Sequence, residues 1–237
     1  MSNTNAKKQF TAGLRAGIPV ILGFVPVGIA FAIMARQAGF TVWQTCGMSI
    51  FVFAGASQMM AVGMFAQGAG LLAMILATFI LNLRHVIMGT CIMNRMKDGS
   101  PLARALVSYG VTDEGFAIFT TEKPENCTLM FFFGLLITTY LSWQAGTFIG
   151  AVASNFLPEI LSASLGIALY AMFIGLLTPN LTCNWKLGAL VALTAVCNSI
   201  LSQLMAASWA MIASTLLCAF IGVFFVDLDA KEEPAHE

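Results

Sequence analysis

The sequence predicts an all-α polytopic transmembrane helix bundle of about six to eight membrane segments, with one broken or re-entrant helix in its first half. Three observations predict it. The 22 charged residues leave long gaps, with none between Gln37 and Leu83, none between Asn126 and Pro158 and none between Leu187 and Val226. Leu, Ile, Val, Phe, Met and Ala fill these gaps, and a bilayer core takes about 20 consecutive apolar residues per helix. One long apolar stretch is interrupted by the polar and small run Phe53-Ala54-Gly55-Ala56-Ser57-Gln58. Finally, Lys and Arg in short loops favour the cytoplasm, and both Lys7, Lys8, Arg15 and the connector Arg95, Lys97, Arg104 carry them. Three full crossings cannot join two loops on one side, so one of the first three stretches enters and leaves on the same face.

Composition fits this class. The chain is 59% hydrophobic and 9% charged, against about 25% charged in soluble proteins. Its 237 residues make a single integral membrane domain, with a motif-bearing half at 13–120, late spans at 129–226 and an acidic tail at 227–237. Zero net charge argues against a nucleic-acid partner. Met1–Lys8 lacks the apolar core and small-residue cleavage site of a signal peptide, so the first span is expected to be retained. The six cysteines are scattered without a C-x-x-C, which predicts packing residues, no metal and no cofactor.

The elements follow in order. A first span runs from about residue 17 to 35, a second apolar stretch from 42 to 65, and a third from 71 to 93 with Asn82, Arg84 and His85 inside it. The segment 106–119 is only half-apolar and contains Thr112-Asp113-Glu114. Four ordinary spans are expected near 129–153, 160–178, 186–203 and 205–226. Gly146 and Gly150 form a G-x-x-x-G that suits close helix packing.

Four groups could carry chemistry. Pro19, Gly23 and Pro26 share a helix face, and each proline frees the carbonyl one turn earlier for an ammonium or an ion; a packed kink is the plainer reading. Gly55, Ser57 and Gln58 would start a half-helix, with Ser57 near its N-cap and free N–H groups suited to a carboxylate. A close helix crossing is the alternative there. Arg84, costly at membrane depth, either snorkels to headgroups, pairs with an acid or clamps a carboxylate. Asp113 and Glu114 point about 100° apart on a helix, so one can be ion-paired and the other protonatable, unless the segment is a solvated cytoplasmic helix.

In this order, Gly17-x-Pro19 with Pro26, Phe53-Ala-Gly-Ala-Ser-Gln58, Asn82-x-Arg84-His85 and Val111-Thr112-Asp113-Glu114 resemble the AzlC family, the large subunits of bacterial branched-chain amino-acid exporters. The resemblance carries specific motifs from about Gly13 to Phe119 and rests on length and hydropathy beyond. It implies a multi-pass carrier of the bacterial cytoplasmic (inner) membrane that exports branched-chain or similar small apolar amino acids, coupled to the proton gradient. It also implies a small AzlD-type membrane subunit as partner. The matched positions are Pro19, Pro26, Gly55, Ser57, Gln58, Asn82 and Arg84, expected at the substrate, with Asp113, Glu114 and His85 expected in proton coupling or an ion pair. Two other classes stay open: an intramembrane serine hydrolase using Ser57 and His85, although the G-x-S-x-G elbow is missing, and a channel or structural subunit.

Overall fold

The structure, a computed structural model, describes residues 3–154, 174, 178 and 185–225. The expected span at 160–178 and the acidic tail therefore lie outside the described residues, apart from two positions. Ten helices occur among the described residues, and four of them are long and apolar enough to cross a bilayer. The chain divides into two compact units, Met1–Gly68 with Thr78–Tyr170, and Ala69–Ala77 with Ala171–Glu237.

The first unit is built on two helices that run side by side in the same direction. Helix α1 (Asn3–Ala16) leads directly into α2 (Ile18–Gln37), and both lie along α8 (Leu129–Ala153). Gly146 and Gly150 of α8 make this approach possible. A Cβ at Gly146 would stand 2.5 Å from the Val25 carbonyl oxygen, and one at Gly150 2.6 Å from that of Ile29. Further down, Gly13 and Gly134 press against the backbones of Phe131 and Phe10. Small residues at membrane helix contacts let backbones close up in this way. Where α2 buries a face, Phe24, Val27 and Phe31 line it, and Phe24 and Phe31 meet the Trp143 ring at centroid distances of 5.7 and 6.1 Å.

Between α2 and α8 the chain crosses the bundle only once more, in α5 (Leu71–Arg95). Its 25 residues span about 37 Å at 1.5 Å per residue. The remaining segments are two re-entrant pairs.

The first pair is α3 (Val42–Val52) and α4 (Gly55–Ala66). Thr41 and Gln44 close a capping box that starts α3. Descending beside α8 in the opposite sense, α3 carries Ser49 to Thr147 and Ile50 to Tyr140. It stops at Phe53, whose φ of 42° lies in the left-handed region. From there α4 climbs back to where α3 began, because Phe65 near its end packs edge-on against Phe40 at 4.9 Å, and Phe40 directly precedes α3. The second apolar stretch thus enters and leaves on one face, as the parity of charged loops requires. Cysteines at 40 and 65, in a chain otherwise free of cysteine, are expected to be joined by a short bifunctional thiol reagent; α4 continuing to the other face would give no such product.

The second pair enters from the opposite face. Ser100 caps α6 (Pro101–Ser108), and Thr112 caps α7 (Asp113–Thr121) through a bond from the Gly115 N–H. At the far end of α7, Phe119 packs on Phe131 and Phe132 in the first turn of α8. There α5 also finishes: the Arg95 guanidinium donates to the Glu122 carbonyl (2.9 Å), and the Leu129 N–H donates to Asp98 (2.6 Å). The half-apolar segment at 106–119 is therefore neither a span nor a solvated helix but a second broken pair. A crossing helix followed by a re-entrant pair occurs twice, α2 with α3–α4 and α5 with α6–α7, in opposite senses. Inverted repeats with discontinuous helices are the architecture on which many membrane carriers place a midplane site.

Lys7, Lys8, Arg95, Lys97, Arg104 and Lys123 all sit toward the end where α1 and α8 begin and α5 finishes, which sets that face in the cytoplasm.

The second unit contains the helical pair Trp185–Leu204 and Ala207–Phe225. They fold back on each other, with Leu190 against Gly222 and the Ser214 hydroxyl 3.4 Å from Asn198 Oδ1. These helices start and stop within two residues of the expected late spans.

Candidate functional site: two broken helices meeting at mid-depth

The tips of the re-entrant pairs touch. Tyr109, at the carboxyl end of α6, donates its hydroxyl to the Phe51 carbonyl of α3 at 3.0 Å. A half-helix that ends inside a membrane leaves its last carbonyls without intrahelical partners, and hydrocarbon offers no water to satisfy them. Here side chains do so. Tyr140 donates to the Ile50 carbonyl at 3.0 Å, and Gln144 adds a second bond, at 2.9 Å, to the Ser49 carbonyl that the Phe53 N–H already meets.

Behind the break lies a closed polar node centred on Ser49, which is 0% exposed. Gln58 Nε2 donates to Ser49 Oγ at 3.1 Å and Trp143 Nε1 at 3.2 Å. Both are pure donors, so they use the two lone pairs, and the Ser49 proton is left for Thr147 Oγ1 at 2.8 Å. The other end of the Gln58 amide accepts from the Ala54 N–H at 3.2 Å. Gln58 thus stitches the broken backbone together. Gly55 is needed where it stands, because a Cβ there would lie 2.7 Å from the Trp143 ring.

Ser57 is placed differently from the sequence expectation. The N-cap of α4 is Ala54, no side chain caps the helix, and Ser57 donates its hydroxyl back to the Ala54 carbonyl at 2.9 Å. It is 2% exposed. That committed, enclosed hydroxyl gives the serine-hydrolase reading no support.

Arg84, His85 and Asn82 lie midway along α5, and Asp113 opens α7 at the second break. The Arg84 guanidinium meets the Asp113 carboxylate at 2.9 Å (Nη1–Oδ2), with side chains 36% and 34% exposed. At least eleven residues separate Arg84 from either end of α5, or about 17 Å of helix, so snorkelling does not explain it. Of its donors, Nε is buried without a hydrogen-bond partner, as is Asn82 Oδ1. Two residues apart on a helix, Asn82 and Arg84 point about 160° apart and do not share a face. Glu114 follows Asp113 about 100° round the helix.

Pro19 and Pro26 stand apart from this cluster. Pro19 belongs to the first turn of α2, where its missing N–H costs nothing. Pro19, Gly23 and Pro26 form one exposed face of α2, opposite the face that buries Phe24 and Phe31. Of the sequence-derived residues, the structure therefore groups Gly55, Ser57 and Gln58 at one break and Arg84 and Asp113 at the other. Ser49, Tyr109, Tyr140, Trp143, Gln144 and Thr147 complete the arrangement, and none of them had a motif to mark it. Among the described residues no group of His, Cys, Asp and Glu could hold a metal.

Opposed broken helices around a mid-depth arginine–aspartate pair define an integral, multi-pass membrane protein with a polar midplane. The chain belongs to the AzlC protein family, whose model matches residues 19–157. It is 32% identical to an uncharacterized membrane protein of Archaeoglobus fulgidus over 76% of this chain and 80% of the relative. It is 29% identical to the inner membrane protein YgaZ of Escherichia coli, over 72% and 73%. To the branched-chain amino acid transport protein AzlC of Bacillus subtilis it is 27% identical, over 73% and 70%. No solved structure matches the chain.

Proposed function

We propose that the chain is a secondary transporter that exports branched-chain or similarly small apolar amino acids, coupled to the proton gradient. It acts as the large subunit of a carrier completed by a small AzlD-type membrane protein. The observation that carries this reading is the Arg84 guanidinium, held at mid-depth by Asp113 with its buried Nε unspent. A planar fork with free donors suits a carboxylate, and a zwitterionic amino acid brings one. The uncapped start of α4 is a second place where a carboxylate is favoured. Asn82 also carries an unpaired acceptor, but on another face of α5, so it does not share one substrate with Arg84. Glu114, in the first turn of α7 and without the arginine bond that Asp113 makes, is the group assigned to the proton. His85, one step along α5 from Arg84, adds a second titratable side chain. Pro26 frees the Leu22 carbonyl on the exposed face of α2, where the small subunit or the lipid meets it, and Pro19 serves that face as the start of the helix.

Access from alternate sides follows from the two pairs. One opens to each face, and their tips meet at the Tyr109–Phe51 bond. The test is counterflow in proteoliposomes holding the chain and the small subunit. Labelled isoleucine and valine are expected to load against an unlabelled internal pool, to saturate and to respond to a pH gradient. Absence of loading and chase sinks the reading, and non-saturating flux replaces it with a channel.

A further inference from the structure

The geometry points to a binding site for an anionic phospholipid headgroup on the cytoplasmic end of α1, formed by Lys7, Lys8 and Arg15. An open, shallow surface there is lined, among the described residues, by Lys7, Lys8, Thr11, Ala12 and Arg15. These residues occupy one side of α1, and the other side, through Phe10 and Gly13, is pressed against α8. The three cations are exposed, α1 contains no acid, and none of the three forms an ion pair among the described residues.

Depth decides what the stripe meets. Phe10 lies against Gly134, and the Leu14 carbonyl accepts from the Thr138 hydroxyl at 3.2 Å. Thr138 is nine residues into α8, about 13 Å along its axis. Lys7 and Lys8 therefore sit level with the start of α8, and Arg15 lies two turns inside it. This line of positive charge follows the cytoplasmic leaflet from its headgroups inward, where a soluble anion would have to leave water and a lipid phosphodiester already resides. Basic pockets at this level select anionic headgroups, at about 1 kcal/mol per Lys or Arg. Thr11 contributes shape alone, since its hydroxyl is committed to the Lys7 carbonyl at 2.9 Å. The donors are then two ammonium groups and a guanidinium, and no carboxylate competes for them within α1.

The experiment is native mass spectrometry of the full chain titrated with phosphatidylglycerol or phosphatidylcholine. Wild type is expected to retain phosphatidylglycerol selectively. Lys7→Gln, Lys8→Gln and Arg15→Gln should each weaken it about fivefold, and the triple variant roughly a hundredfold. Lys123→Gln, on the same face but off α1, should change it less than twofold. Equal phosphatidylglycerol retention by wild type and the α1 variants overturns the site. Competition by millimolar inorganic phosphate that strips the lipid as fast as the substitutions do overturns the lipid as its ligand.

Discussion

Asp113→Asn is expected to lower amino-acid counterflow at least a hundredfold while leaving a folded, membrane-inserted chain. The substitution keeps an acceptor oxygen in reach of Arg84 Nη1 and removes only the charge. The pair is about one-third exposed, so its loss costs less than the 3–5 kcal/mol of a fully buried ion pair and more than the fraction of a kcal/mol of a surface one. About 1–3 kcal/mol is the range these limits set. Transport suffers more than stability for a physical reason. Without its counter-ion the guanidinium turns toward any other anion and holds a substrate carboxylate too tightly to release it, or it withdraws from the midplane. Adding Arg84→Gln to Asp113→Asn removes the uncompensated charge, which should restore the thermal midpoint but not the flux. Glu114→Gln should behave differently, retaining exchange while losing its response to a pH gradient. If both acids can be neutralised with export and pH dependence untouched, the pair has no transport role.

How much of this was legible in the sequence depended on whether a constraint was local. Apolar runs reported the crossings α2, α5 and α8 to within a few residues, because hydrocarbon disfavours charge along a span, Arg84 in α5 being a paired exception. The parity of cytoplasmic loops reported the re-entry at 42–66, because a chain cannot change sides an odd number of times and end on the side where it began. Arg84 and Asp113 were visible because a charge at depth demands a partner. The second re-entrant pair escaped. At 101–121 the apolar pattern is weak, and α6 and α7 at eight and nine residues are too short for periodicity to speak. What holds them is distant: the bond from Tyr109 to Phe51 and the packing of Phe119 on α8. Helix α1 is likewise absent from the sequence reading, since it is held by close backbone approach to α8 at its own Gly13 and at Gly134 of α8. Gln58 was flagged for the right reason, the cost of an unpaired amide in hydrocarbon, yet its amide closes the backbone break and leaves little for a ligand.

Ser49→Ala carries the largest expected effect on folding, although nothing in Cys46-Gly47-Met48-Ser49-Ile50 singles the serine out. Its hydroxyl is the common acceptor of Gln58 and Trp143 and the donor to Thr147. Deleting one oxygen strands two N–H donors in an enclosed site, at about 1–3 kcal/mol each, and lipid cannot supply a replacement. The expected loss is about 2–6 kcal/mol, read as a fall in the thermal midpoint measured by fluorescence-detected size exclusion in detergent. Thr147→Val provides the comparison, because it strands only the Ser49 proton and should cost about 1–3 kcal/mol. The order matters more than either number. If Ser49 is the hub, its alanine variant is the less stable of the two and also loses counterflow, since the α3–α4 pair is no longer pinned to α8. Equal stability of Ser49→Ala and wild type would mean that the backbone break is held without the node. The geometry argues otherwise: the same oxygen ties the descending half-helix, the returning half-helix and α8 together at the point where the chain reverses.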